Sequence, residues 1–239
     1  MKPLLSRALG PLALVTTLAT IVLGLFVTPP DVVQGELARL LYIHPAVAWV
    51  ALYLSLGTAT VASALYLWPR TRSMVADRIA EAAMEVSVVF VGLTLVTGSI
   101  WGRPAWGVWW VWDARLTSTA VLGILTLGYL ALRRANDDPL VRARRSAVLA
   151  LVSAANVPIV HFSVLWWKTL HQGATVFTEN RDITVHGSMA WTLLLSFVAF
   201  SLDFGWLVRA RYRNATSLGA ERDRDLDAAV SARRAEGGL

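Results

Sequence analysis

Six long apolar stretches limit this chain of 239 residues to a small number of folds. They cover about residues 8–28, 45–68, 82–101, 117–133, 146–166 and 187–208. A helix that crosses the hydrocarbon core of a membrane needs about 20 mostly apolar residues, and each stretch is close to that length. The composition agrees, because 56% of the residues are hydrophobic and only 16% are charged. The sequence therefore predicts an all-α integral membrane protein, a bundle of six transmembrane helices.

The first apolar stretch follows Lys2 and Arg7, as it would in a secretory signal peptide. Its apolar run is too long for that role, and Pro29-Pro30 follows it instead of a small-residue cleavage site. We therefore expect a retained first helix.

Lysine and arginine are distributed unequally between the two sides that six alternating spans define. One side carries both chain ends and two Arg-rich connections, about 68–78 and 133–145. The other side carries only Arg39, Arg103, Arg115, Lys168 and Arg181. Because basic residues favour the cytoplasmic side, we expect both termini inside and three longer connections outside. These outer connections are about 29–44, 101–117 and 166–187.

The charge and cysteine content exclude several classes of protein. The net charge of +6 mostly reflects the expected topology. It does not indicate nucleic acid as a partner, because the inner side has no basic stripe interleaved with stacking aromatic residues. The absence of cysteine excludes disulfides, thiolate metal sites and attachment of a cofactor through thiols of this chain. We expect one domain over 1–208 and a charged cytoplasmic tail over 209–239, with parts of 220–235 helical.

The outer connection 101–117 (below, the tryptophan segment) is the most unusual part of the chain. It reads Trp101-Gly-Arg-Pro-Ala-Trp106-Gly-Val-Trp109-Trp110-Val-Trp112-Asp113-Ala-Arg115-Leu-Thr117 and holds five of the eleven tryptophans. An interfacial aromatic belt would scatter tryptophans over many helix ends. Since tryptophan combines a broad apolar face with one N–H donor, the cluster favours a platform for a flat apolar ligand with charged edges, such as haem.

We expect a short interfacial helix over 105–113. In such a helix the i, i+3, i+4 and i+7 positions share one face, and these positions are Trp106, Trp109, Trp110 and Asp113. Arg115 and Arg103 are candidate partners of haem propionates, because a guanidinium matches a carboxylate bidentately. Asp113 is expected to orient Arg115 or a tryptophan N–H.

The third outer connection repeats this logic, with two tryptophans, one cation and one histidine: Trp166, Trp167, Lys168 and His171. The other three histidines, His44, His161 and His186, also lie at or near the outer side. Imidazole is a common axial ligand of haem iron. Four histidines allow six pairs, and the residues alone do not choose among them, although His44 and His171 flank the tryptophan segment. His161 lies deeper and is expected either to hydrogen-bond across the bundle or to orient the third outer connection. His186 is expected to be structural or interfacial.

The tryptophan segment, Trp101-Gly-x-x-x-Trp-Gly-x-Trp-Trp-x-Trp-Asp-x-Arg-Leu-Thr, resembles the WWD signature of the haem-handling proteins of cytochrome c maturation. Together with the six helices and Trp166-Trp167-x-Thr169-Leu170-His171-Gln172-Gly173, it is most similar to the CcmC family. The resemblance covers about residues 38–208. The related CcmF and CcsA proteins have more helices than this chain.

The resemblance implies a protein that holds non-covalent haem b at the outer, periplasmic face of the bacterial inner membrane. His44 and His171 would be the axial ligands of the haem iron. The tryptophan segment would present the haem to the haem chaperone CcmE, and CcmD, CcmA and CcmB would complete the assembly within the membrane lipid. This is a transfer function rather than enzymatic turnover, with at most an activity that attaches the haem to the chaperone.

Three other functions remain open from the residues. A b-type cytochrome in electron transfer would usually place histidine pairs near both faces, whereas all four histidines here lie on one side. A transporter usually has ionisable residues at the midplane. Here Glu81, Glu85 and Asp203 lie towards the inner ends, and we expect Asp203 to pair with a nearby arginine. A pump subunit would need a partner that binds ATP, because this chain has no P-loop.

Overall fold

The computed structural model of the protein describes residues 3–171, 173 and 185–236. Over these residues the chain is almost entirely helical, and six helical stretches are long and apolar enough to cross a membrane. They are Ala8–Val27, Glu36–Leu67, Met74–Trp106, Ala114–Arg134, Pro139–Trp166 and Gly187–Arg234. The predicted all-α fold with six transmembrane helices is confirmed.

Seven α-helices build these spans. The first two spans are irregular: α1 continues through a π-helical turn, Leu23–Val27, and α2 and α3 are joined by another, Val50–Ser55. A 3₁₀ helix, Glu36–Tyr42, precedes α2. The α-helices are α1 Pro3–Val22, α2 His44–Trp49, α3 Leu56–Leu67, α4 Met74–Trp106, α5 Ala114–Arg134, α6 Pro139–Trp166 and α7 Gly187–Glu236.

Side-chain caps set where three of the helices begin. Ser73, Asp113 and Asp138 precede α4, α5 and α6, and each accepts a hydrogen bond from a backbone N–H in the first turn. These N–H groups have no partner within the helix, so a capping oxygen stabilises the helix start. Pro139 follows Asp138 at the first helical position, where its missing N–H costs nothing.

The expected helix over 105–113 is wrong. α4 instead continues to Trp106, and Gly107 ends it with a φ of 80°. This left-handed conformation is a common helix terminator and is open to glycine without strain. Residues 107–113 then form a non-helical connection to α5. The tryptophans of this segment therefore do not share one helix face.

α7 is much longer than the apolar stretch 187–208, because it continues as one helix through the charged tail to Glu236. In its membrane part, Asp203 accepts a hydrogen bond of 2.7 Å from Thr17 of α1. The expectation that Asp203 pairs with an arginine is therefore wrong. Its hydrogen-bond partner is the hydroxyl of Thr17, and none of the described ion pairs includes Asp203.

Small residues allow the central helices to pack closely. Alanines at the contacts of α3, α4 and α6 are completely or almost completely buried, including Ala59, Ala80, Ala83, Ala147 and Ala150. Membrane helices associate through such close contacts, because lipid gives no hydrophobic drive for their association. Larger side chains such as Leu56, Met84 and Leu122 fill the remaining space.

The two ends of the bundle differ in their residues. One end, formed by the connections 68–73 and 135–138, is called here the arginine end. The opposite end is formed by 28–43, 107–113 and the described parts of 167–186, and is called here the histidine end. At the arginine end, the buried Arg133 of α5 donates two hydrogen bonds to Asp77 of α4, of 2.7 and 3.0 Å. A third, of 2.8 Å, goes to Glu81.

Candidate functional site

Two histidines from distant parts of the sequence lie side by side at the histidine end. His44 is the first residue of α2, and His171 lies in the connection after α6. Their ring centres are 6.5 Å apart, and the ring planes are inclined by 41°. The ring of Trp101 lies 6.0 Å from that of His44, and the ring of Trp106 lies 6.2 Å from that of His171. These four residues, called here the histidine–tryptophan cluster, were all predicted as site residues.

The tautomer of His44 follows from its hydrogen bond to α4. The His44 Nδ1 atom lies 2.9 Å from the hydroxyl oxygen of Thr97. The one proton of that hydroxyl is directed to the carbonyl of Leu93, 2.7 Å away. With the hydroxyl proton directed there, we assign the proton of a neutral His44 to Nδ1, which donates to Thr97, and the lone pair to Nε2.

Gly98, the residue after Thr97, makes room for the imidazole. A Cβ atom at this position would lie 3.0 Å from His44 Cε1, which is tighter than nine in ten real contacts of a Cβ atom, so the ring would have to shift by a few tenths of an ångström. One turn further along α4, Trp101 donates an indole hydrogen bond of 2.9 Å to the side-chain oxygen of Gln34. Residues 97–101 of α4 thus contact both His44 and Gln34, which lies in the connection before α2.

The connection before α2 is held by its own polar groups. Asp31 accepts hydrogen bonds from the backbone N–H groups of Gln34 and Val33, at 2.7 and 2.9 Å. These bonds hold the pKa of the Asp31 carboxyl below its ordinary value. Arg39 closes the connection by donating to the carbonyl oxygens of Gly24 and Thr28. His44 therefore follows a segment whose path is fixed on both sides.

Asp113 connects the tryptophan segment to the connection that carries His171. One carboxylate oxygen accepts a 2.8 Å hydrogen bond from the N–H of Leu116 and so caps α5. The other accepts a 3.1 Å hydrogen bond from the N–H of Leu170, the residue before His171. Among the described residues no hydrogen bond or ion pair joins Asp113 to Arg115 or to a tryptophan N–H, and both Asp113 oxygens accept from backbone N–H groups instead.

Arg115 ties α5 to α6 at the same end. Its Nε donates to the hydroxyl of Ser163 at 3.1 Å, and a terminal nitrogen donates to the carbonyl of His161 at 2.8 Å. The His161 ring hydrogen-bonds through Nδ1 to the hydroxyl of Tyr53, which lies in the π-helical turn after α2. The predicted hydrogen bond of His161 across the bundle is confirmed. His186 is exposed just before α7.

The remaining predicted site residues lie at the histidine end, around the cluster. Trp110 packs edge-to-face on Trp112, and Trp166 packs edge-to-face on Trp167, with ring centres 5.4 and 5.7 Å apart. The Nε1 atom of Trp110 is buried and has no hydrogen-bond partner among the described residues. The predicted residues that are largely exposed are Arg103, Trp109, Trp112, Trp166, Trp167 and Lys168.

Three residues of this site were not found from the sequence: Gln34, Thr97 and Gly98. Thr97 and Gly98 belong to an apolar membrane helix in which threonine and glycine are ordinary residues. Gln34 precedes the 3₁₀ helix and has no motif around it. Only the packing of α4 against α2 and against the connection before it reveals what these three residues contact.

The comparisons with known proteins agree with this architecture. A family model described as Heme exporter protein C, CcmC, matches residues 2–226. The chain belongs to this family. The match extends further at both ends than the 38–208 suggested by the motifs. It makes the chain a multi-pass membrane protein of haem handling for cytochrome c maturation.

Individual relatives in the family cover most of the chain. The Heme exporter protein C of Bradyrhizobium diazoefficiens is 41% identical over 215 residues, 88% of this chain and 80% of its own length. That of Escherichia coli K12 is 38% identical over 202 residues, 83% of this chain and 78% of its own length. A putative cytochrome c biosynthesis ccmC-like mitochondrial protein of Marchantia polymorpha is 35% identical, over 77% of this chain and 76% of its own length.

Proposed function

We propose that this protein binds non-covalent haem b through His44 and His171 and presents it to the haem chaperone CcmE. The observation that carries this proposal is the distance of 6.5 Å between the two imidazole centres. Two ring nitrogens bound at about 2 Å on opposite sides of one metal ion place the ring centres roughly 6 Å apart. The spacing in this chain therefore suits a pair of axial ligands without a large rearrangement.

The hydrogen bond between His44 and Thr97 supports the same role. A histidine that ligates a metal almost always donates its other ring N–H to a neighbouring acceptor, which fixes the tautomer and raises the basicity of the ligand. Thr97 supplies this acceptor, so that His44 Nε2 is the nitrogen that would bind iron. Thr97 is thus a positioning residue for His44.

The tryptophans supply the apolar surroundings that a porphyrin requires. Trp101 and Trp106 lie beside the two imidazoles, and the unsatisfied N–H of Trp110 offers a donor to a polar ligand atom. Arg103, Arg115 and Lys168 are the proposed partners of the propionates. Two nitrogens of the Arg115 side chain already bind α6, so this guanidinium would contact a propionate through its remaining N–H groups.

The exposed tryptophans support presentation to a partner. Trp109 and Trp112 are 59% and 79% exposed, and Trp166 and Trp167 are 56% and 51% exposed. Together they form an aromatic rim around the cluster, at the end that we place on the periplasmic face of the bacterial inner membrane. Aromatic residues of this kind are frequent in protein interfaces. We propose this rim as the surface that CcmE approaches, with CcmD, CcmA and CcmB as further partners of the 1–208 bundle.

The proposal is tested by haem content. His44→Ala, His171→Ala and the control His186→Ala are purified in detergent beside the wild type, and haem is measured by absorption spectroscopy and the pyridine haemochrome assay. We expect a b-type spectrum in the wild type and the control. The haem-to-protein ratio should fall at least about tenfold in each ligand variant, since each loses one of two iron bonds. Equal haem content in all three variants would contradict the assignment.

A further inference from the structure

A polar cavity of about 230 Å³ opens at the arginine end, far along the bundle from the histidine–tryptophan cluster. It lies where α4, the last turn of α5 and the first turns of α6 meet. Its polar lining includes Glu81, Glu85, Arg133, Arg134, Asn136 and Arg142. Neither the haem site nor the predicted motifs use these residues.

The two glutamates of the lining already have cationic partners. Glu81 accepts a hydrogen bond of 2.8 Å from Arg133, and Glu85 forms an ion pair with Arg211 of α7. The third carboxylate, Asp137, is exposed. The carboxylates inside the cavity are therefore neutralised and do not call for a cation.

The guanidinium groups of the lining, in contrast, include N–H donors that have no acceptor among the described residues. Arg133 is only 4% exposed, and its Nε has no hydrogen-bond partner within the described part of the chain. The same holds for the buried Nε of Arg142. Among the described ion pairs none involves Arg134 or Arg142. Buried donors without a partner are rare, so this arrangement indicates a missing acceptor.

We propose that this cavity binds the phosphate group of an anionic phospholipid. A guanidinium can bind two phosphate oxygens at once through parallel N–H groups. Arg134 and Arg142 are the two lining arginines that form none of the described ion pairs. Basic pockets between membrane helices at this depth bind lipid headgroups, because the spans of α5 and α6 end and begin here. A phosphate would also accept from the two buried Nε atoms.

The surface beside the cavity suits an acyl chain. Leu127, Leu130 and Arg134 follow one another at i, i+3 and i+7 on one face of α5. Leu130 lines the cavity, and Leu127 is 56% exposed on the membrane surface one turn away. A lipid with its phosphate in the cavity would therefore have an apolar path for one chain along α5.

The test compares two double variants with the same change in net charge. Arg134→Gln/Arg142→Gln removes the guanidinium groups of these two lining arginines, and Arg78→Gln/Arg144→Gln removes two exposed arginines that do not line the cavity. Arg133 is left unchanged because it holds α4 to α5. Each protein, checked for helix content by circular dichroism, is titrated in neutral detergent with dioleoyl phosphatidylglycerol or dioleoyl phosphatidylcholine. Bound lipids are counted by native mass spectrometry, and a parallel titration uses inorganic phosphate.

We expect one phosphatidylglycerol to bind to the wild type and to the Arg78/Arg144 control with at least about tenfold preference over phosphatidylcholine. The preference should disappear in the Arg134/Arg142 variant. Equal binding of both lipids to the wild type, or an unchanged preference in the Arg134/Arg142 variant, would overturn the proposal. Binding of inorganic phosphate as tight as that of the lipid would overturn a lipid as the occupant and leave a site for free phosphate.

Discussion

Two neighbouring residues of α4 act on His44 in different ways, one through a hydrogen bond and the other through the space it leaves. Thr97 accepts from its Nδ1, and Gly98 leaves the space that its Cε1 occupies. Both lie on one turn of α4, so a side chain added at Gly98 displaces the ring without removing any hydrogen-bonding group. This makes Gly98 a probe of the position of the imidazole alone.

We predict that Gly98→Ala lowers haem affinity at least about tenfold while the protein remains folded, because the orientation of a metal-binding imidazole has effects of that size. Gly92→Ala is the matched control, since it lies on the same helix and a Cβ there meets nothing within 4 Å. Both changes favour a helix by up to about 1 kcal/mol. Haem titration followed by absorbance should separate the two variants, and equal affinities would contradict a role of the space at Gly98 in placing the imidazole.

At this scale the sequence revealed ligand candidates but not their supports. His44, His171, Trp101 and Trp106 were predicted because histidine and clustered tryptophan carry distinctive chemistry. Thr97 and Gly98 were not, because their importance lies in a contact with His44, and Thr97 is 53 positions from His44 in the sequence. A hydrogen bond of this kind has no local pattern.

Among the elements, the tryptophan segment shows how one residue can override a periodic pattern. The spacing of Trp106, Trp109 and Trp110 fits a helix, yet the left-handed Gly107 ends α4 within that spacing. The same holds for Asp113, which was expected inside that helix and instead caps the start of α5. What the sequence did not show is the second contact of Asp113, with the connection that carries His171.

We predict that Asp113→Ala weakens haem binding in addition to destabilising α5. Loss of a capping residue costs about 0.5–2 kcal/mol, and loss of the bond to Leu170 N–H frees the segment that carries His171. Asp138→Ala is the control, because it removes the equivalent cap of α6 at the opposite end of the bundle. Unfolding should detect both substitutions, whereas the haem titration should detect only Asp113→Ala. A loss of haem affinity in both variants would contradict the specific role of Asp113.

For the molecule as a whole, the six spans were predictable because length and apolarity are properties of single segments. Their arrangement was not, because it depends on small side chains and on buried charges whose partners are distant in sequence. Arg133 is an example: in the sequence it begins the Arg-rich connection 133–145, and nothing there marks it as buried. In the structure it is buried on Asp77 and fixes α5 against α4.

We predict that Asp77→Ala lowers the free energy of unfolding by about 3 kcal/mol, since removal of one partner leaves a buried charge. The remaining bond to Glu81 keeps the loss at the low end of the usual range. Asp77→Leu/Arg133→Met, which removes both charges, should recover much of the stability. Glu85→Ala, which breaks a more exposed pair with Arg211, should cost less than about 1 kcal/mol. Unfolding in mixed micelles with increasing dodecyl sulfate measures all three, and wild-type stability of Asp77→Ala would refute the prediction.

The π-helical turn Val50–Ser55 determines the direction in which His44 projects from the second span. Such a turn closes with i to i+5 hydrogen bonds, so it holds an extra residue compared with a regular α-helical turn. Each helical residue rotates the chain by about 100° and advances it by about 1.5 Å. Deleting one residue here would make the second span more regular, but it would swing His44 away from both Thr97 and His171. The proposed haem site therefore depends on an irregularity that begins six residues after His44, and we expect a regular helix here to separate the two imidazoles.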